Sequence, residues 1–197
     1  MTVLELRRYT LHPGGREVLI ELFEREFVDA QLACGITLPG LFRVPAAPEV
    51  FLWLRGFDDL DARTAALEAF YGGPVWRAHR DAANATMIDS DDVLLLRPVR
   101  GRFPAARPTP GPLRVGVHHF GGPVTDDLAR LSTEPLVLAT HPGPNGFPAL
   151  PVREGEHVVV TVSFDLVPPA APAAWAARAT REPEQLIVEP TTRSALR

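Results

Sequence analysis

Within LELRRYTLHPGG, residues 4–15, a carboxylate, a guanidinium and a phenol recur at every second position: Glu5, Arg7 and Tyr9. Side chains alternate along a strand, so these three share one face while Leu4 and Leu6 share the other. Such a strip is the solvated face of an antiparallel sheet, the lining of a cavity, or an internal polar seam. A later stretch, EVFLWLRGF, sets Phe51, Trp53, Arg55 and Phe57 on one face by the same alternation. Turned inward together, Arg7 and Arg55 beside aromatic rings suit an anionic or enolate oxygen on an aromatic or polyketide-like ligand. Guanidinium offers paired planar donors and stacks on rings. The plainer arrangement is a cross-strand ion pair of Glu5 with Arg7 or Arg55, with Trp53 in the core.

The second half of the chain offers LRVGVHHF. Adjacent strand positions face opposite sides, so His118 and His119 cannot both chelate one metal from a regular strand. If Phe120 takes the place that Tyr9 holds in the first half, His118 matches Arg7 and enters the same interior, as a general base or acid near neutral pH. The alternative is a structural histidine. His141 precedes a glycine- and proline-rich loop, and His79, beside Arg77 and Arg80, reads as a surface residue. Metal-ligand spacing such as H-E-x-x-H, a glycine-rich phosphate loop and a G-x-S-x-G elbow are all absent. Arg7, Tyr9 and His118 are therefore the catalytic candidates, and Glu5, Trp53 and Arg55 the ligand-binding ones. Neither a metal nor a cofactor is expected. Cys34 lacks the context of a reactive thiol and reads as filler.

All twenty basic residues are arginine. Without lysine there is no Schiff-base nucleophile, no pyridoxal anchor and no phosphate-loop lysine. A net charge of −4 with no block of like charge argues against nucleic acid or anionic lipid as a partner. No apolar run approaches the roughly 20 residues of a membrane span, and no signal-peptide pattern opens the chain. A cytoplasmic location is the expectation, with one cysteine making no demand for an oxidising compartment. The arginine, alanine and proline bias resembles the coding habit of a high-GC bacterium.

These candidates need elements to hold them. After the first strand, residues 15–33 read as a helix with Leu19, Leu22, Phe23, Phe27 and Ala30 in phase. GLFRVP and EVFLWLRGF form a hairpin, two helices follow, and DDVLLLRPV closes the unit as a strand at about residues 91–99. Strand, helix, strand, strand, helix, strand is the ferredoxin-like order. A proline-rich connector at 100–112 separates residues 1–99 from 113–197, where the order returns in shortened form, with Thr125 as a helix N-cap and a long loop between the central strands. The expected fold is α+β: two ferredoxin-like βαββαβ units fused in one chain, packed sheet to sheet as a pseudo-dimeric α+β barrel. That packing would bury the bare sheet faces and place the polar strip between the sheets.

Glu5, Arg7, Tyr9, Pro13, Gly14, Trp53, Arg63, Pro74 and Trp76 arrive in an order that resembles the NIPSNAP family, of the dimeric α+β barrel superfamily. The resemblance covers residues 2 to about 99. It implies helices outside, a cavity between the sheets, and Trp76 as a further ligand-binding candidate. Superfamily relatives include cofactor-free oxygenases, isomerases, haem enzymes and ligand-binding regulators. Haem would need an axial histidine such as His118, and nothing else in the chain calls for it. The expected function is a small-molecule-binding barrel for an apolar or aromatic organic ligand. As an enzyme it would work without a cofactor, by proton transfer, cyclisation or oxygenation in bacterial specialised metabolism. The alternative is a non-catalytic binding or scaffold protein with a packed lumen. With both sheet faces satisfied within one chain, a monomer or a homodimer is expected.

Overall fold

The leucine face of the first strand decides how the chain closes. In the computed structural model, which describes residues 2–103 and 110–196, β1 (Val3–Leu11) lies between β3 (Val50–Phe57) and β4 (Met87–Arg100), antiparallel to both. Leu4 and Leu6 join Leu52, Leu54, Leu94 and Leu96 in an apolar layer that meets Val115, Val117, Val158, Val160 and Val162 of the second half. Burying that much branched aliphatic surface at about 25 cal/mol per Å² is the main force holding sheet to sheet.

The remaining strands are β2 (Thr37–Arg43), β5 (Leu113–His119), β6 (Leu136–Thr140), β7 (Val158–Ser163) and β8 (Glu184–Pro190). Together the eight form a closed barrel in the order β1-β3-β2-β8-β5-β7-β6-β4. Each half runs βαββαβ, and β2–β8 and β4–β6 pairing joins the halves. The chain is thus two ferredoxin-like units fused as one α+β barrel, and closure leaves no open sheet edge.

Helices cover the first half generously. α1 (Gly15–Leu22) runs through a π-helical turn, Phe23–Phe27, into α2 (Val28–Ala33); α3 (Leu60–Tyr71) and α4 (Pro74–Asn84) follow. Asp59 caps α3, its carboxylate accepting from the Ala62 N–H at 2.7 Å, and Pro74 opens α4 where its missing N–H costs nothing. The second half has only α5 (Asp126–Ala129), capped by Thr125, and α6 (Ala173–Ala176). Residues 104–109 of the proline-rich connector lie outside the described residues.

Two expectations are corrected. The strand expected at 91–99 begins at Met87, because Thr10 and Leu11 pair with Asp89 and Met87 across register shifts that the polar run IDSDD does not announce. The strip of Glu5, Arg7 and Tyr9 does not line the space between the sheets. It lies on the opposite face, roofed by α1–α4, since the all-leucine face is the better partner for the valines of the second half. Alternation tells which side chains travel together, and the covering element tells where they go. Among the described residues no helix is long and apolar enough to cross a membrane.

Candidate functional site

Between the first-half sheet and its helices lies a cavity of about 240 Å³. Its floor comes from alternate positions of β1 and β3, where Arg7 pairs with Trp53 and Tyr9 with Phe51. Its roof is Leu19, Phe23, Phe27 and Gln31, four residues at intervals of four. An α-helix turns about 100° per residue, so a row of fourth neighbours drifts by about 40° per step. The wider π turn at Phe23–Phe27 takes up that drift and keeps Gln31 over the cavity. Phe70 and Tyr71 of α3 and Trp76 of α4 complete the aromatic wall, with the Tyr71 and Trp76 rings edge to face at 4.9 Å.

Behind the floor sits a buried charge cluster. The Glu5 carboxylate accepts from Arg7 Nη1 at 2.6 Å, Arg55 Nε at 2.7 Å and Arg63 Nε at 2.6 Å. Arg55 also donates to the Tyr71 hydroxyl at 3.3 Å, and Arg63 to the Asn145 carbonyl. Burial works to raise the Glu5 pKa, but the guanidiniums of Arg55, Arg7 and Arg63 outweigh it and hold the carboxyl well below the usual range. Burial works against the Arg7 charge in turn, and Tyr9 and Glu5 restore it. Three cations around one carboxylate leave an excess of two positive charges out of water.

Arg7 carries that excess to the cavity wall. Its guanidinium lies 5.4 Å from the Tyr9 ring centre and 5.5 Å from that of Trp53. Its Nε donates to the Tyr9 hydroxyl at 3.2 Å, which occupies a lone pair of the phenol and not its proton. Burial raises the Tyr9 pKa, so the phenol is neutral. Two polar atoms of buried lining residues, Trp53 Nε1 and Gln31 Oε1, have no hydrogen-bond partner among the described residues.

The second half closes the site. Residues 141–156 form a strap hung on β4 at both ends, where the His141 N–H donates to the Leu95 carbonyl at 2.8 Å and the Arg153 N–H to the Val93 carbonyl at 2.9 Å. Between these anchors Phe147 stacks on Tyr71 with ring centres 6.4 Å apart, and Ala149, Leu150 and Pro151 line the cavity.

Of the residues singled out from the sequence, Arg7, Tyr9, Trp53 and Trp76 line this one cavity. Glu5 and Arg55 stand behind it, fully buried. His118 does not join them, which corrects the expectation of an interior shared with Arg7. It lies on the outer face of β5 under Trp175, ring centres 4.7 Å apart, beside a separate hollow of about 40 Å³. There Arg114 is already paired with Glu134 and Gln185. Burial and the Arg114 charge push the His118 pKa down to about 4, leaving a neutral imidazole. His119 points the other way, its Nδ1 3.3 Å from Glu156. Among the described residues no group of three or more histidine, cysteine or acidic side chains is placed to hold a metal.

Sequence reasoning missed Gln31, Tyr71 and the strap as parts of the site. Arg63 was visible only as a motif position, and its role as the third cation on Glu5 comes from α3 packing over β1 and β3.

The NIPSNAP family model matches residues 4–101. Nothing among the curated proteins matches the chain. Among solved structures, a candidate monooxygenase from Fusobacterium nucleatum superposes with a TM-score of 0.64 at 6% identity, over 95% of this chain and 91% of that one. A candidate monooxygenase from Lactobacillus acidophilus gives 0.56 at 13% identity over 95% and 93%. At these identities the likeness is one of fold. A NIPSNAP family protein from Agrobacterium tumefaciens covers 50% of this chain and 93% of its own, at 20% identity and a TM-score of 0.46. By its residues 4–101, the chain carries a NIPSNAP-family domain.

Proposed function

We propose that the cavity between the first-half sheet and its helices binds a small, flat organic anion, with Arg7 as its anchor and Trp53, Trp76 and Tyr71 as its walls. One observation carries this reading. Three buried guanidiniums share a single carboxylate, and the one that reaches the cavity is Arg7. A ligand carboxylate or enolate supplies the missing charge, meeting the N–H groups of Arg7 that remain beside its bonds to Tyr9, Glu5 and the Ser90 carbonyl, between aromatic faces.

A cofactor-independent enzyme is the second reading, favoured by Tyr9. A neutral phenol held by Arg7 is a proton donor suited to an enolate oxygen that develops on the ligand. Glu5, locked by three guanidiniums, is no base. A bound carbanion would therefore be stabilised here and not generated by Glu5. His118 takes no part, because it lies beside another hollow. The apolar, packed space between the sheets supports a non-catalytic role for the barrel interior itself.

The test is a titration of the chain with benzoate and with benzyl alcohol, followed by tryptophan fluorescence, since Trp53 and Trp76 both line the cavity. Saturable binding of benzoate, absent for the alcohol and lost in an Arg7→Gln variant that circular dichroism shows to be folded at the titration temperature, supports the reading. Equal response to both compounds, or full binding by Arg7→Gln, overturns it.

A further inference from the structure

Arg7 accounts for one end of a ligand, and two further residues that line the same cavity each hold a buried polar atom without a partner among the described residues. Gln31 is 1% exposed, yet its Oε1 accepts nothing among the described residues. Trp53 is equally buried, and its Nε1–H finds no acceptor. An unpartnered buried acceptor and donor each carry a desolvation cost of about 1–3 kcal/mol in general, so their joint presence around one cavity marks groups awaiting partners. They sit in different layers, Trp53 on β3 beneath the cavity and Gln31 on α2 above it.

We propose that the ligand is a single-ring organic anion that also carries a hydrogen-bond donor, such as a hydroxyl or amino group, and that Gln31 is the residue that reads this donor. The proposal rests on the anion-binding reading above and narrows it to a chemical class. The charged end meets Arg7, with the Trp53 indole N–H as an added donor to its oxygens. The donor meets Gln31 Oε1 in the helix layer. The cavity volume of about 240 Å³ corresponds to about eight waters at ~30 Å³ each, which gives room for a substituted ring.

The π turn gives this arrangement a structural reason. Phe23 and Phe27, its first and last residues, both face the cavity, and the extra residue in the turn brings the polar Gln31 into line behind two phenylalanines. A regular helix would present Ala30 at that phase, and alanine has nothing to offer a donor. π turns are costly and recur at functional positions.

The deciding experiment compares benzoate with 3- and 4-hydroxybenzoate and with their methyl ethers, each titrated against the full chain by tryptophan fluorescence. A hydroxybenzoate is expected to bind about tenfold more tightly than benzoate and than its own ether, the increment of one made hydrogen bond in a closed site. In Gln31→Met that preference should vanish while benzoate affinity holds. If the wild-type chain binds benzoate, hydroxybenzoates and ethers within about twofold of one another, the assignment of Gln31 falls and the anion reading stands. A preference that persists in Gln31→Met overturns the assignment equally. If no carboxylate binds at all, the anion reading falls first and this inference with it. Should Gln31→Met fail to fold, the wild-type comparison of hydroxyl against methyl ether still decides.

Discussion

The Glu5 carboxylate and the Arg55 guanidinium lie 2.7 Å apart across the β1–β3 ladder, both entirely removed from solvent. The pair faces directly across the strands, which is where opposite charges on a sheet attract most strongly. Arg7 shares Oε2 of Glu5 with Arg55, and Arg63 takes Oε1. Glu5 is therefore the single counter-charge of a cluster whose other members are all cations.

Glu5→Gln should lower stability by about 3–5 kcal/mol, because breaking a buried ion pair from one side strands the charges on the other. Denaturant midpoints at pH 7 measure it. The loss should shrink as the pH falls below about 4.5. Glu5 has a folded pKa held below its unfolded value, so its contribution is fully present above the unfolded pKa and declines in acid. A penalty that stayed constant from pH 7 to pH 3 would contradict the three-cation arrangement.

His118 works in the opposite sense. Its folded pKa is about 4 against an ordinary value of 6.5. Between those two values the unfolded chain takes up a proton that the folded chain refuses, so stability falls as pH drops through this window and then levels off. Comparing unfolding midpoints at pH 7.5 and 4.5, His118→Phe should show a flatter dependence than the unaltered chain. Benzoate binding should be the same in both, since His118 lies outside the cavity.

The strap can be loosened without touching the charge cluster. Phe147→Ala removes the ring that stacks on Tyr71 but leaves the backbone anchors to Leu95 and Val93 intact. Limited proteolysis should then cut within residues 141–156 faster than in the unaltered chain, and a bound carboxylate should dissociate faster. Global stability should drop by about 1–2 kcal/mol at most, as for a half-buried aromatic contact.

The barrel interior admits no added methyl at Gly40. A side-chain carbon there would lie 2.2 Å from the ring tip of Phe42, which is fully buried. Gly40→Ala should cost about 1–3 kcal/mol through overpacking, read as a lower denaturant midpoint with an unchanged m-value. Near-neutrality would mean that the lumen has room to spare.

Much of this was legible in the residues. The spacing of Glu5, Arg7 and Tyr9 correctly grouped them, and the alternation in VFLWLRGF correctly put Trp53 with Arg55, because side-chain period is a property of the strand alone. Which face met the second half was not legible, since both faces of β1 become buried and only the identity of the covering layer separates them. The helix that follows packs Leu19, Leu22, Phe23, Phe27 and Ala30 against the core as expected, and Gln31 was missed for a related reason. A period of 3.6 puts Ala30 in line with Phe23 and Phe27, whereas the π turn, which has no propensity signature, brings in Gln31. The strap was beyond reach because its glycines and prolines announce a loop and say nothing of what it covers.

The loop that walls one side of the cavity also makes the two halves unequal. Two halves of like topology would ordinarily be counted as two equivalent sites. Here the second half lends residues 149–151 to the first and retains beside His118 only a hollow of about 40 Å³, too small for an organic ring. The cavity beneath α1–α4 is therefore a composite of both halves with no equivalent beside His118, however symmetric the barrel that carries it.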